Sequence, residues 1–342
     1  MARMTQRDLA NRLGVSQPTV SLVVNDPRTT RVSPKTKERI LRAVGNLPRR
    51  KRLGGQTGNI GYMVVENTAD YEAYYQRYFV GIEGATSTRG RNVVLLTANG
   101  GPVSSLPLNH LDGLIVLGSI ADSEILALAR RLPIVLLDHQ TDSPVCDMVM
   151  PDNIGAFAET VDYLHGKGHT NIALFQVRCG QNPEKNFHMS QRNEGYYIGL
   201  RRNGLRVVPE YVPAPVLSLV NEPYVVEAQQ CAQQTLDEWI RLPTPPSAVV
   251  VTCDVLALCL IKAAAKLGVR VPDDLSVVGF DNLPTCDLVT PALTSVDRDM
   301  ETIGKVGTEL LIGAITRHDE RPGVRVVCPT KLIERESVRE LT

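Results

Sequence analysis

From Asn59 onward, short apolar runs alternate with stretches of helical periodicity, and this alternation restricts the fold more than any other feature. Such a pattern is typical of βαβ units, whose strands form a parallel sheet covered by helices. The predicted strands are Ile60–Val65, Val93–Thr97, Gly113–Leu117, Ile134–Leu137, Ile172–Phe175, Ala248–Thr252 and Leu275–Phe280. The predicted helices include Tyr75–Gly90, Ile154–Lys167, Asn193–Asn203, Val226–Trp239 and Val255–Leu267. Two such groups, divided near Gln176, predict an α/β fold of two doubly wound subdomains with a ligand cleft between them.

The N-terminal segment has a different pattern, which predicts three short helices. Thr5 begins the first helix and Gly14 ends it. Ser16 caps the second helix, which Pro27 closes, and Ser33-Pro34 opens the third. The predicted inner faces are Leu9, Ala10 and Leu13, then Val20, Val23 and Val24, then Ile40, Leu41 and Val44. Two helices joined by a tight glycine turn indicate a helix-turn-helix, whose second helix enters the major groove of DNA.

The charges of the chain are segregated, although its 37 Lys and Arg balance its 37 Asp and Glu. Residues 1–53 hold 13 basic side chains against three acidic ones, a net charge of +10, so residues 54–342 carry −10. A basic segment with apolar helical periodicity indicates a contact with nucleic acid rather than a solvated tail.

The string TQRDLANRLGVSQPTVSLVVND, followed by VSPKTKERI, resembles the DNA-binding headpiece of the LacI (lactose-repressor-type) family. The resemblance implies two sets of DNA contacts. The phosphate contacts are Ser16, Thr19, Ser21 and Asn25, with Thr5 also counted among the DNA-binding residues, and the base-facing residues are Gln17, Pro18 and Leu22. Gln17 can pair with adenine, whereas Pro18 and Leu22 offer apolar contacts, for example to thymine methyl groups. The family commonly has Arg at the position of Leu22, so the usual guanine contact is missing here; the alternative for Leu22 is packing within the headpiece.

Residues 48–58, PRRKRLGGQTG, form a basic linker that is shorter than the hinge segment of the family and lacks its pattern. Its glycines each disfavour a helix by about 1 kcal/mol relative to Ala. A flexible arm is therefore expected, lying along phosphates or in a narrow minor groove, with Leu53 left open as a wedge. The basic residues of this arm are Arg49, Arg50, Lys51 and Arg52.

Three later strings resemble the effector-binding core of the same family, which is itself similar to periplasmic sugar-binding proteins. They are VMPDNIGAFAETVDYLHGKGHTNIALF, LGVRVPDDLSVVGFDN and TPALTSVDRDMETIGKVGTELL. The effector contacts that the resemblance implies are Tyr71, Asp138, Arg192, Tyr224, Cys253 and Asp281. The planar fork of Arg192 can clamp vicinal hydroxyls or a carboxylate, and Asp281 can accept hydrogen bonds from ligand hydroxyls.

Two departures from the family alter this expected pocket. Cys253-Asp254 stands where the family often has Asn-Asp, so Cys253 removes a polar ligand contact and Asp254 is expected to cap the following helix. Ala69-Asp70-Tyr71 stands where the family often has Asn-Pro before an aromatic residue.

Other classes of protein are disfavoured by the sequence. No stretch reaches the roughly 18–20 apolar residues of a membrane span, and the N-terminus lacks the apolar core of a secretion signal, so we expect a cytoplasmic, nucleoid-associated protein. The seven cysteines form no C-x-x-C pair and the six histidines show no metal spacing, which predicts reduced thiols and neither a metal nor a cofactor. Motifs of phosphate-binding loops, nucleophile elbows and zinc proteases are absent from the sequence, so we expect no enzyme.

These patterns together predict a homodimeric, sequence-specific transcription repressor that binds double-stranded operator DNA. The predicted division is a headpiece at 1–47, the linker at 48–58 and an effector-binding and dimerisation core at 59–342. A small, sugar-like effector is expected to change operator affinity. The alternatives are a sugar-binding receptor or a sugar-converting enzyme on the same core, without regulatory DNA binding.

The +10 charge of residues 1–53 predicts a steep dependence of operator binding on salt, because about one counterion is released for each phosphate neutralised. We expect the association constant to fall by about 10³-fold or more between roughly 50 and 200 mM salt in operator titrations, as for six or more phosphate contacts. A flat response would contradict an electrostatic headpiece.

Overall fold

The computed structural model describes residues 6–25, 30–45, 57–65, 72–97, 103, 106, 108–142, 145–179, 187–217, 224–316 and 322–341. Its helices are α1 Gln6–Leu13, α2 Gln17–Asn25, α3 Pro34–Gly45, α4 Glu72–Ser87, α5 Asp122–Ala129, α6 Asn153–Gly166, α7 Phe187–Arg202, α8 Tyr224–Trp239, α9 Asp254–Leu267 and α10 Met300–Thr316. Its strands are β1 Asn59–Val64, β2 Asn92–Thr97, β3 Gly113–Leu117, β4 Ile134–Leu137, β5 Asp147–Pro151, β6 Ile172–Phe175, β7 Arg178–Cys179, β8 Val216–Leu217, β9 Ala248–Val251, β10 Ser276–Phe280, β11 Thr294–Asp297, β12 Arg325–Cys328 and β13 Lys331–Ile333. No helix in these ranges is long and apolar enough to cross a bilayer.

The chain folds into two compact units. The first unit draws its residues from Met1–Asn67, Tyr78–Val149 and Gly304–Val326, and the second from Thr68–Arg77, Met150–Ile303 and Val327–Thr342. The chain therefore enters the main part of the second unit at Met150, and the predicted division near Gln176 is wrong. The physical reason is that β6, which precedes Gln176, pairs with β9 of the second sheet, and α6 packs on α7.

The three N-terminal helices, which we call the headpiece, enclose a small core of their own. Leu9, Val20, Val23 and Ile40 are fully buried there. Leu41, predicted on the inner face, is instead 37% exposed, because one residue advances a helix by about 100° and turns Leu41 away from the core that holds Ile40. The side chains of Val24 and Val44 lie outside the described residues.

The helix boundaries predicted at Gly14, Ser16 and Ser33 are confirmed, whereas Thr5 and Pro27 lie outside the described residues. The positive φ of Gly14, 63°, turns the chain after α1 as only glycine does readily. The side chain of Ser16 accepts a hydrogen bond from the backbone N–H of Thr19 at 3.2 Å, and Ser33 accepts one from Thr36 at 3.2 Å. Both serines are therefore N-caps, which satisfy donors that the first turn leaves free.

Each unit has its own mainly parallel sheet, as the α/β prediction requires. The first sheet has six strands in the order β12-β5-β4-β3-β1-β2, and the second has five in the order β13-β11-β10-β9-β6. In the first sheet, neighbouring strands are parallel from β5 across to β2. In the second sheet, neighbouring strands are parallel from β11 across to β6, whereas β13 runs antiparallel to β11. A two-stranded ribbon of β7 and β8 completes the described strands.

The seven predicted strands are present within one residue at either end, but others were not predicted. The unpredicted strands are β5, β7, β8, β11, β12 and β13. Strand β11, TSVD, is mainly polar, and its Thr294 and Ser295 are buried because the rest of the second unit supplies hydrogen-bond partners for them. Such strands depend on tertiary contacts rather than on an apolar run.

Helices α6 and α7 pack with their backbones unusually close. A Cβ added at Gly195 of α7 would overlap the carbonyl oxygen of Ile154, and one at Gly199 would lie 2.6 Å from the Cβ of Val161. These two glycines are one turn apart and so face α6 together. The close approach fixes the position of α7, which carries Arg192.

We therefore predict that Gly195→Ala lowers the free energy of unfolding by about 1–3 kcal/mol, the usual cost of overpacking. Gly166→Ala is the matched control, because an added Cβ at this exposed end of α6 meets nothing within 4 Å. Calorimetric unfolding of both variants tests the difference. Equal stability of the two variants would show that the close approach is not required.

Candidate functional site

The start of α2 presents the residues that the sequence assigns to DNA. Gln17 and Pro18 are exposed at its N-terminus, and Thr19 and Ser21 are half-buried. The hydroxyls of Ser16 and Thr19 lie 2.7 Å apart, which orders the first turn. The positive end of the helix dipole also lies here, and it favours an anionic partner such as phosphate.

The sequence leaves two roles open for Leu22, a contact with a DNA base or packing within the headpiece. It is half-buried and does not belong to the headpiece core, whose partly buried neighbours in the described residues are Leu13, Val15, Val32 and Ala43. The buried face of α2 is formed by Val20 and Val23 instead. The structure therefore leaves part of Leu22 available for contact, which stays a prediction.

Several predicted site residues lie outside the described residues. They are Thr5, Arg49, Arg50, Lys51, Arg52 and Tyr71, together with the side chain of Asn25.

In the second unit, Arg192 lies buried beside the carboxyl end of the sheet. Its side chain is 3% exposed, its Nε donates to Oδ1 of Asn153 at 3.0 Å and its Nη1 donates to the carbonyl of Thr252 at 2.6 Å. The guanidinium also stacks 4.2 Å from the ring centroid of Phe280, a cation–π contact. Asn153 is held in turn by Gln191, whose Oε1 accepts from its amide at 3.0 Å. Arg192 thus joins α6, α7 and the ends of β9 and β10.

Asp281 follows β10 and belongs to the same region. Its carboxylate accepts a hydrogen bond from Nη1 of Arg298 at 3.1 Å, and both side chains are buried. The φ angles of Asp281 and Asn282 are 115° and 50°, a backbone conformation that non-glycine residues rarely adopt. Neighbours hold this turn, since Arg77 donates to the carbonyls of both residues at 3.0 Å.

Cys253 and Tyr224 form a neutral pair next to these charges. The Tyr224 hydroxyl lies 3.7 Å from Sγ of Cys253, and both residues are buried. Burial, with the nearby charge of Asp281, raises the pKa of the Cys253 thiol to about 12. The thiol is therefore protonated at neutral pH and is not the thiolate that a nucleophilic cysteine needs.

The structure thus brings four predicted effector residues together at the carboxyl ends of β9 and β10. We call this group the strand-end cluster, and it consists of Arg192, Tyr224, Cys253, Phe280, Asp281 and Arg298. Asp138 belongs to the first unit, after β4, where it is 9% exposed with a φ of 52°, and its role as an effector contact stays a prediction.

Arg298 and Asn153 were missed by the sequence reading. Arg298 follows β11, so it would have been considered had that strand been predicted, because ligand sites in parallel sheets lie just after strands. Asn153 is the first residue of α6 and lies within one of the strings that resemble the family core. Its role could not be predicted because it depends on the hydrogen bond that its amide oxygen accepts from Arg192.

Asp254 does not cap α9, contrary to the prediction. It is the first residue of the helix, and its fully buried carboxylate accepts from the Leu283 N–H at 2.7 Å, the Ser295 hydroxyl at 2.6 Å and the Cys286 thiol at 3.1 Å. The reason is that β11 and the loop after β10 supply donors that compete with the helix terminus. Burial, and then the charge of Asp281, raise the pKa of Asp254 to about 7.

The strand-end cluster offers fixed hydrogen-bond donors and acceptors around an aromatic ring, which suits reversible binding of a small polar molecule. Within the described ranges, no group of three His, Cys, Asp or Glu side chains is placed to hold a metal ion.

Comparisons with known families and proteins agree with both parts of the chain. The family model described as "Bacterial regulatory proteins, lacI family" matches residues 5–48. The model described as "Periplasmic binding protein-like domain" matches residues 161–338, more than half of the chain.

Relatives match along nearly the whole length. The chain is 28% identical over 348 residues to the HTH-type transcriptional repressor CytR of Escherichia coli, covering 98% of this chain and 97% of that protein. It is 26% identical over 355 residues to the HTH-type transcriptional repressor PurR of Photobacterium profundum, covering 98% and 99%.

Solved structures show the same fold. A complex of the transcriptional regulator CelR with cellobiose has a TM-score of 0.69 and 27% identity, covering 98% of this chain and 100% of that one. A LacI family transcriptional regulator from Enterococcus faecium with bound ribose has a TM-score of 0.68 and 21% identity, covering 83% of this chain and 100% of that one.

The raised pKa of Asp254 predicts a loss of stability as the pH rises from about 4 to about 7. In this range the unfolded chain has released a proton that the native state keeps, so this group lowers the free energy of unfolding by up to about 1.4 kcal/mol per pH unit. Below about 4 and above about 7 its contribution is constant.

Calorimetry of the wild type and Asp254→Asn across pH 4–8 checks this prediction, because titrating groups that do not interact with Asp254 cancel in the difference. The stability of the wild type relative to the variant should decrease up to a pH of about 7 and then level off. Glu159→Gln, at an exposed position of α6, serves as the control for replacing a side-chain carboxyl by an amide. A pH-independent difference for Asp254→Asn would contradict the titration.

Proposed function

Because the chain belongs to the LacI family of bacterial regulatory proteins, we propose that it represses transcription by binding operator DNA through its headpiece. A small effector bound at the strand-end cluster sets the operator affinity. By linkage, operator and effector change each other's affinity by the same factor. The functional division is a headpiece at 1–47, a linker at 48–58 and an effector-binding core at 59–342.

The observation that carries this proposal is the arrangement of α2. Its apolar residues Val20 and Val23 are buried in the headpiece core, while Gln17 and Pro18 are exposed at its N-terminus, the end of the helix that enters the major groove. The match of the LacI family model to residues 5–48 covers all of these positions.

The base contacts follow from the chemistry of the exposed residues. The amide of Gln17 pairs with adenine, while Pro18 and Leu22 contact thymine methyl groups, so each half-site is read mainly at A·T pairs. The phosphate contacts supply affinity rather than specificity. They are Thr5, Ser16, Thr19, Ser21 and Asn25, together with the basic arm Arg49, Arg50, Lys51 and Arg52.

The effector is a small, hydroxyl-rich molecule related to sugars. The chain is similar to a regulator solved with cellobiose at 27% identity. In the strand-end cluster, Arg192 donates hydrogen bonds and Asp281 accepts them, while the ring of Phe280 packs against the guanidinium of Arg192 and holds it in place. Tyr224 and Cys253 add a neutral hydroxyl and thiol.

We propose a homodimer, whose two headpieces bind the half-sites of a near-palindromic operator. The first unit exposes large apolar side chains that a partner copy would cover. Phe79 and Val80 of α4 are 36% and 52% exposed, and Leu95 of the edge strand β2 is 61% exposed. Such apolar exposure near a sheet edge favours an interface.

The competing enzyme hypothesis has less support. The family is one of DNA-binding regulators, and the thiol of the strand-end cluster, Cys253, is held protonated by burial. We therefore propose a non-enzymatic regulator that acts on the nucleoid in the cytoplasm. The alternative of a sugar-binding receptor without DNA binding does not account for the helix-turn-helix headpiece.

Removing residues 1–53 tests the proposal. The truncated chain should lose operator binding by more than about 10³-fold, the usual gap between specific and non-specific affinity, while its affinity for the effector is kept. Operator titrations with the full and truncated chains, each with calorimetric effector binding, measure both affinities. Retained operator binding by the truncated chain would refute the assignment of DNA binding to the headpiece.

A further inference from the structure

The last two residues of the linker, Thr57 and Gly58, are held by one carboxylate. Oδ1 of Asp112 accepts hydrogen bonds from the backbone N–H of Thr57 at 2.7 Å and from its hydroxyl at 3.1 Å. Oδ2 of Asp112 accepts one from the backbone N–H of Gly58 at 2.9 Å. The Thr57 hydroxyl also lies 2.8 Å from the carbonyl oxygen of His110, which like Asp112 precedes β3. We call the contacts of Asp112 with Thr57 and Gly58 the linker anchor.

The linker anchor is built into the N-terminal edge of the first sheet. Asp112 directly precedes β3, and Gly58 directly precedes β1, which pairs with β3. Arg91, directly before β2 on the other side of β1, donates to Oδ2 of Asp112 at 3.0 Å. The side chains of Arg91 and Asp112 are 10% and 7% exposed, so solvent and salt screen this ion pair little. Both strands next to β1 therefore contribute to the anchor.

The Asp112 side chain serves the linker rather than the sheet. β1 and β3 already pair through their backbones from Ile60 onward. Three of the four hydrogen bonds to the Asp112 carboxylate instead come from Thr57 and Gly58, before that pairing begins. Hydrogen bonds to an ionised acceptor are stronger than those between neutral groups. Thr57 and Gly58 therefore move with the sheet, and the free part of the linker ends before Thr57.

We propose, resting on the proposed operator binding, that Asp112 is a positioning residue for DNA recognition. It fixes the point at which the linker leaves the first sheet. It thereby sets the spacing of the two half-sites that the headpieces of a dimer reach together. When the basic residues of the linker bind phosphates, residues 53–56 are all that separates them from the anchor. The bound linker thus has little spare length, and a change of spacing strains it.

The lengths involved make this effect measurable. Release of Thr57 and Gly58 from Asp112 would add at most about 7 Å to each linker, at about 3.3–3.6 Å per extended residue. This length equals the rise of about two base pairs, at about 3.4 Å each. The second headpiece binds within the same complex, so its effective concentration depends on whether the linker spans the distance between half-sites. A released linker therefore absorbs a change of spacing that the anchored linker resists.

Operator titrations across a series of half-site spacings test this inference. Duplexes that the full-length wild type selects from a random-sequence library supply the operator, and its half-sites are then moved closer or farther apart by one and two base pairs. At two base pairs from the best spacing, we expect the wild type to lose about 10-fold or more in affinity. Asp112→Ala, which removes the acceptor of the linker anchor, should lose less than about 3-fold.

Asp147→Ala is the matched control. Asp147 begins β5 at the same edge of the same sheet and is buried, but its Oδ1 accepts from the N–H of Val324 at 2.9 Å rather than from the linker. This variant should also lose thermal stability, yet keep the spacing penalty of the wild type. Relaxed spacing in both variants, an unchanged penalty in Asp112→Ala, or no penalty in the wild type would overturn the inference.

Two further measurements do not depend on the folding of Asp112→Ala. Two glycines inserted between Gly54 and Gly55 lengthen the linker outside the sheet and should relax the spacing in the same way. Hydrogen exchange of the wild type should show protected amides at Thr57 and Gly58. An unchanged spacing penalty after the insertion, or exchange of both amides at the unprotected rate, would contradict the anchor.

Binding to the best-spaced operator keeps this outcome separate from the proposed function. A wild type that binds this operator equally well at every spacing overturns only the role of Asp112. Failure of the wild type to select any operator sequence would refute the regulator itself.

Discussion

The carboxylate of Asp254 ties together the parts of the second unit on which the candidate site depends. It joins the first residue of α9 to the loop after β10 through Leu283 and Cys286, and to β11 through Ser295. These elements carry Asp281 and lead to Arg298, whose ion pair holds the loop in its rare backbone conformation. Because the carboxylate is fully buried, its three donors offset only part of the cost of desolvation, which raises its pKa to about 7. Gly279 of β10 leaves the space that it occupies, since a Cβ there would overlap Oδ1 of Asp254.

The sequence predicts those elements whose residues are apolar for local reasons. Strands β3, β4 and β6 are continuous apolar runs, and their bounds were predicted without error. Strands β11 and β13 were missed because their polar residues become buried or paired only when the second sheet assembles. The headpiece ends were predicted because capping by Ser16 and Ser33 is decided within a few residues of chain.

The candidate site was predictable in its main members and not in their partners. Arg192, Tyr224, Cys253 and Asp281 were proposed from resemblance, and the fold places them in one cluster. Spacing along the chain does not show that Asn153 orients Arg192 across 39 residues, or that Asp254 binds Ser295 across 41 residues rather than capping its own helix. Those contacts depend on which strands lie side by side, which a single sequence does not reveal.

The small core of the headpiece has a consequence for how such proteins diversify. Leu9, Val20, Val23 and Ile40 pack on one another and on partly buried residues of the same three helices. The proposed DNA-reading surface is thus supported by residues other than those that line it. The proposed base contacts Gln17, Pro18 and Leu22 can then be replaced without reorganising that core, and without any change at the proposed effector contacts Arg192 and Asp281. The operator sequence that the protein recognises and the effector that it binds can therefore change independently in evolution.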